Sequence, residues 1–209
     1  MVVENYKPRI EIDPKWEMVE LENVSDIISG YAFDSKDFLK ENSARCIKIT
    51  NVGVREFIGD TEENLPAEFL EKYSRFKVYK GDIVISLTHS IISTGLKVAK
   101  IPNEWDNSLV NQRVAGIRAL KNININFIYL YLCTDIVFNY VEEKSRSLMQ
   151  PNLSITDLKK LPIPLPPRDI QDKIVSIIEQ EQSIINANQK MIEIFEQKIK
   201  NRIAKVWGE

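Results

Sequence analysis

His89 is the only histidine in the 209 residues, so a histidine metal cluster is excluded and any His-containing hydrolytic triad would rest on that one side chain. Ser74-Arg75-Phe76-Lys77 has the Ser-x-x-Lys spacing of an acyl-transfer nucleophile, a four-residue pattern that recurs by chance. Glu142-Glu143-Lys144, with Asp135 upstream, contains the Glu-x-Lys of a metal-dependent nuclease centre. It sits where the periodicity is helical, and there Glu followed by Lys is the ordinary make-up of a solvated face. The 7 glycines are scattered and build no phosphate cradle, and the chain lacks the Asn/Asp-Pro-Pro-aromatic motif of an amino-methyltransferase. Cys46 and Cys133 stand 87 positions apart with no ligand at metal-binding spacing, which reads as buried thiols. The expectation is a chain with no catalytic residue, no metal site and no cofactor.

Charge points elsewhere. The net charge of −2 is not that of a typical nucleic-acid binder, but it is unevenly distributed. Residues 1–71 hold 8 Lys/Arg against 16 Asp/Glu, residues 72–160 hold 13 against 7, and residues 161–209 hold 7 of each. An acidic head, a basic middle and a neutral tail place any contact with a phosphate backbone in the middle third.

The elements that would position such a contact follow from pattern. Residues 1–15 form a polar arm, and order is expected from Trp16. Trp16 to Gly30 reads as a short strand and a helical turn closed by the glycine. Arg45 to Gly53 alternates as a half-buried strand. A Gly81-Asp82 turn feeds the apolar run Ile83 to Leu87, a strand buried on both faces. Further strands are predicted at Gly95 to Ile101 and Val110 to Leu120, and a helix at Phe127 to Val141. The fold class is therefore α+β, a mixed-sheet domain over residues 16–160. The connector 161–167, Leu-Pro-Ile-Pro-Leu-Pro-Pro, is held extended by its prolines.

Residues 168–207 contain no Pro and no Gly before the Gly208 tail, with Ile178, Ile185, Ile192, Ile199 and Val206 recurring at sevens. Ile177, Ile184 and Met191 flank them, and a third row carries Ile174, Glu181, Asn188, Phe195 and Arg202. Seven-residue recurrence of this length predicts a long C-terminal coiled-coil helix that needs a partner; a helix folded back on its own domain is the alternative. No stretch is long and apolar enough to span a membrane, and the N-terminal residues show no basic-then-apolar signal pattern, so a cytoplasmic protein is expected.

Several stretches, in order, resemble the specificity subunits of type I restriction-modification enzymes. They are Trp16 to Gly30, Ile47-Lys48-Ile49-Thr50-Asn51-Val52, Lys80-Gly81-Asp82-Ile83-Val84-Ile85-Ser86, Gly95, Asn111-Gln112-Arg113-Val114, Gln150-Pro151-Asn152-Leu153-Ser154, Leu158 and the proline-rich connector leading to Gln171 and Ile174. The resemblance implies a non-catalytic target-recognition domain followed by a spacer helix. Its implied partners are double-stranded DNA, DNA adenine methyltransferase subunits and, as an open alternative, a restriction subunit. Such subunits carry two recognition domains, whereas this chain has one set of motifs. A half-subunit, or the specificity part of a fused enzyme, would pair as a homodimer through antiparallel C-terminal helices and read a palindromic, interrupted site. Candidate DNA-binding residues are Thr88, His89 and Ser90 beyond the apolar strand, with Lys97, Asn111, Gln112 and Arg113, and a second cluster of Arg146, Gln150 and Asn152. Gln112 suits adenine and Arg113 suits guanine or phosphate, although either could instead tie down a turn. The competing readings are an assembly or decoy protein that binds partners through the helix without reading DNA, and an enzyme built around His89.

Overall fold

A computed structural model describes residues 12–59, 63–145 and 152–208. The strands are β1 (Glu17–Glu20), β2 (Ser25–Ser29), β3 (Cys46–Ile47), β4 (Lys77–Val78), β5 (Ile83–Ser86), β6 (Ile91–Ile92), β7 (Gly95–Leu96), β8 (Val98–Lys100), β9 (Ser108–Val110), β10 (Val114–Ala119) and β11 (Pro162–Leu165). The helices are α1 (Phe69–Lys72), α2 (Ile125–Leu132), α3 (Asp135–Ser145), α4 (Ile155–Lys159) and α5 (Arg168–Trp207). The chain divides into two compact units, 1–168 and 169–209.

The first unit is built around β5. Gly81 has φ +85°, a left-handed turn that a side chain would strain, and Asp82 secures it by accepting from the Tyr79 amide at 2.9 Å. The chain then enters a four-stranded antiparallel sheet of order β2-β10-β5-β8. Ile83 and Ile85 face a core with Leu21, Ile117, Ile128 and Leu132, while Val84 faces a second core with Val78, Trp105 and Val114. An antiparallel strand usually has one solvated face; here the sheet β3-β9-β4 contributes Ile47, Val78 and Val110 to the second core and covers it. The α+β class and the strand buried on both faces are as the sequence predicts.

Several elements are shorter or more broken than their patterns suggest. After β1 and a 3-10 turn at Leu21–Asn23, the Trp16 to Gly30 stretch continues as β2, because pairing with β10 outweighs its helical spacing. The Arg45 to Gly53 strand is reduced to β3, and Ile49–Asn51 forms a 3-10 turn in which the Asn51 side chain accepts from the Lys48 amide at 2.8 Å. Gly95 to Ile101 splits at Lys97, Val110 to Leu120 splits at a turn of Asn111 to Arg113, and the Phe127 to Val141 helix breaks at Cys133-Thr134. The proline connector is not a free strut: β11 pairs with β1, Val19 opposite Ile163. Two edge strands tolerate the missing amides of Pro162 and Pro164.

The second unit is α5, 40 residues long, or about 60 Å at 1.5 Å per residue. Its heptad residues lie open to solvent, with Ile184 62%, Ile192 58% and Val206 67% exposed.

One ion pair stabilises the turn that starts β5. The Arg118 guanidinium, on β10, donates to both carboxylate oxygens of buried Asp82, the closest at 2.6 Å, and to the Lys77 carbonyl at 3.2 Å. Arg118→Met would strand the Asp82 charge and is expected to cost about 2–3 kcal/mol in urea unfolding, below the range for a fully buried pair because the arginine is partly hydrated. An unchanged unfolding midpoint would contradict this role.

Candidate nucleic-acid interface

β5 leaves the core at Leu87, and three segments distant in sequence meet there. The Leu87 amide donates to the Arg113 carbonyl at 2.9 Å, the Leu153 amide donates to the Leu87 carbonyl at 2.9 Å, and Thr88 bridges to Asn152 as an antiparallel pair. A fourth strand end joins them through Tyr31, whose amide donates to the Val110 carbonyl and whose carbonyl accepts from the Gln112 amide at 3.0 Å. Gly30 makes this approach possible, because a Cβ there would lie 2.0 Å from the Asn111 carbonyl oxygen. Its role is close approach to the turn, not the end of a helix.

The candidate residues separate into two sets at this sheet end. His89, with φ +49°, Gln112 and Arg113 are exposed, and Thr88 and Asn152 are half-buried beside them. The others are engaged within the fold. Asn111 donates its backbone amide to the Ile47 carbonyl at 3.0 Å, and its side chain lies close enough to the buried Cys46 thiol to oppose the rise in that thiol's pKa. The Lys97 ammonium donates to the Ile49 carbonyl at 2.8 Å, and burial lowers its pKa from the usual lysine value. Ser90 is buried, and its hydroxyl and the Asn152 side-chain oxygen have no hydrogen-bond partner among the described residues. Arg146 and Gln150 lie outside the described residues.

The basic middle holds fewer available cations than its composition implies. Besides Lys97 and Arg118, Lys100 donates to the Asn126 side-chain oxygen at 2.7 Å and Lys159 lies 3.5 Å from Glu22. Arg113 has no such partner among the described residues. The interface also has a support that the sequence reading missed: the Tyr31 ring packs 4.7 Å from Tyr73 and 5.0 Å from Phe76, anchoring the residue that holds Gln112. Only the aromatic density of 69–79 hinted at it, since Tyr31 lies far from both partners in sequence.

The same residues argue against catalysis at the thiols. Burial pushes Cys46 up to about 12, with Lys48 and Asn111 opposing, and burial also raises Cys133, so neither supplies a thiolate. Among the described residues no group of three His, Cys, Asp or Glu is placed to hold a metal ion, and no helix is long and apolar enough to cross a membrane.

A family model described as the type I restriction modification DNA specificity domain matches residues 14–197. The type I restriction enzyme MjaVIII specificity subunit of Methanocaldococcus jannaschii is 30% identical over 197 residues, spanning 92% of this chain and 45% of that protein. The EcoAI specificity subunit of Escherichia coli is 28% identical over 81% of this chain and 29% of its own length. The chain thus spans less than half the length of these relatives. Among solved structures, a type I R-M system complex superposes with a TM-score of 0.66 at 20% identity, covering 93% of this chain and 45% of that one. The HsdS subunit from Thermoanaerobacter tengcongensis gives 0.55 at 21% identity, covering 87% and 41%. Both likenesses are of fold.

Two substitutions test the interface. Arg113→Gln is expected to weaken binding to the preferred duplex by about 1–3 kcal/mol and to relax its base preference at one position, whereas Lys97→Gln leaves that preference unchanged; equal losses would show that the division of cations is wrong. Gly30→Ala is expected to displace the Asn111 to Arg113 turn, giving new amide NMR shifts at Gln112 and Arg113 and weaker DNA binding, and unshifted amides there would refute the close approach.

Proposed function

The chain belongs to the type I restriction modification DNA specificity domain family, and from that membership we propose that it reads one half of a split DNA site for DNA methyltransferase subunits. It is a recognition module with no catalytic chemistry of its own. In a system that also restricts, the same chain would direct a nuclease and translocase subunit. The observation that carries this reading is the convergence of Thr88, His89, Gln112, Arg113 and Asn152 at one end of the central sheet, on segments linked by backbone hydrogen bonds. A glutamine amide pairs with adenine in the major groove and a guanidinium with guanine, so adjacent exposed Gln112 and Arg113 are chemically suited to base edges.

α5 supports the second half of the proposal, a homodimer through antiparallel helices. Its apolar rows remain open, and a stripe of this length needs another helix over it. On the helix the row of Glu181, Asn188, Phe195 and Arg202 lies between the Ile177 and Ile178 rows, at the centre of the stripe. Parallel pairing would set Glu181 against Glu181 and Arg202 against Arg202. Antiparallel pairing centred between Met191 and Ile192 sets Glu181 against Arg202 at both ends. A C2 dimer of this kind would read an inverted repeat, its half-sites held apart by helices spanning under two turns of duplex.

A gel-shift panel with and without the cognate methyltransferase tests the DNA reading. A shift confined to duplexes carrying an interrupted palindrome is expected, and weak sequence-independent binding in both lanes would favour an assembly or decoy role. For the helix, Glu181→Arg and Arg202→Glu are each expected to weaken dimerisation at least about tenfold in sedimentation, and the double reversal to restore it. Neutral single reversals would contradict antiparallel pairing.

A further inference from the structure

The segment Lys72-Tyr73-Ser74-Arg75-Phe76-Lys77-Val78-Tyr79-Lys80 carries four cations and three aromatic residues in nine positions, with no acid after Glu71. It covers the end of α1, a 3-10 turn at Ser74–Phe76, and β4, which is the edge of its sheet. We propose that this segment is a second contact surface for duplex DNA, gripping the phosphate backbone beside the reading turn through Lys72 and Arg75. The inference rests on the DNA-reading role proposed above and assigns a site outside the residues on which that role was argued.

The first support is availability. Three cations in the middle of the chain are engaged within the fold, Lys97 on a backbone carbonyl, Lys100 on Asn126 and Arg118 on Asp82, and Lys159 lies beside Glu22 at the surface. Lys72 and Arg75 are exposed and have no carboxylate partner among the described residues. Each cation instead rests on rings: Lys72 lies 5.2 Å from the Tyr73 centroid and 5.4 Å from that of Phe69, and Arg75 lies 4.5 Å from that of Phe76. A cation propped on a ring face keeps its outer side for an anion.

The second support is place. Tyr73 and Phe76 pack on Tyr31, and the Tyr31 carbonyl accepts from the Gln112 amide. Two residues, the supporting ring and Tyr31, therefore link the propped cations to the turn that carries Gln112 and Arg113. The major groove is about 12 Å wide, so a turn placed in it is flanked by phosphate strands that neighbouring cations can meet.

The rings also decide what kind of contact this is. Tyr31, Phe33, Phe69, Tyr73 and Phe76 are half-buried against one another, with centroids 4.7 to 6.4 Å apart among the contacting pairs. They are occupied as props and are not open platforms on which a base could stack. The contact through Lys72 and Arg75 is therefore to phosphate and carries no base preference of its own.

The test measures binding of the full chain to a duplex with its preferred site and to a scrambled duplex over a salt series. The K72Q/R75Q double variant is expected to weaken both complexes by the same factor and to reduce the slope of log K against log salt by about 1.8, with K72Q and R75Q each giving about half of that. Thermal unfolding of each variant checks that the fold is intact. If the unmutated chain binds its site but all three variants keep its salt slope, or if only the preferred site is weakened, the proposal is overturned. If the unmutated chain shows no sequence preference at all, the DNA-reading role falls, and this inference with it.

Discussion

β5 is buried on both faces, and that double burial decides where the candidate recognition residues at its end can stand. Ile83 and Ile85 must enter one core and Val84 the other, so a slip of one residue would exchange their faces. With the register held, the chain leaves the sheet at Leu87, and the hydrogen bonds that Leu87 makes to Arg113 and Leu153 draw two remote segments to the same point. The Asp82–Arg118 pair at the opposite end of β5 and β10 secures the start of the strand by neutralising a carboxylate that the fold buries. The polar residues at the sheet end are thus presented by a rigid strand and by turns tied to it.

The same economy of charge explains why overall composition is a poor guide to this chain. A net charge of −2 hides a basic middle, and that middle in turn contains cations engaged in folding. Lys97, Lys100 and Arg118 find partners 48, 26 and 36 residues away, and no local pattern announces such pairings. The surface that meets a polyanion is set by the cations left over, not by their sum.

What was legible in the sequence had a local physical cause. The apolar run of β5, the turn at Gly81-Asp82 and the seven-residue stripe of α5 each follow from neighbouring residues, and the structure contains all three. What was illegible depended on distant contacts. The segment ending at Gly30 has helical spacing but becomes β2 because β10 lies beside it, and the glycine serves Asn111, 81 positions on. Asn111 adjoins Gln112 in sequence, yet its backbone amide is tied to Ile47, 64 positions away. The proline connector looked like a strut until its pairing with β1. Some of the motif residues that carry the family, Asn111 to Val114 and Asn152-Leu153, lie at this sheet end, where contacts distant in sequence hold them.

The central claim is that one reading end and one long helix make half of a device, completed by a second copy. Mapping methylated bases across a genome in cells with and without the chain, in the presence of its methyltransferase, tests this most directly. The account expects chain-dependent methylation at an interrupted inverted repeat. Methylation at a continuous or asymmetric motif, or a pattern indifferent to the chain, would contradict it.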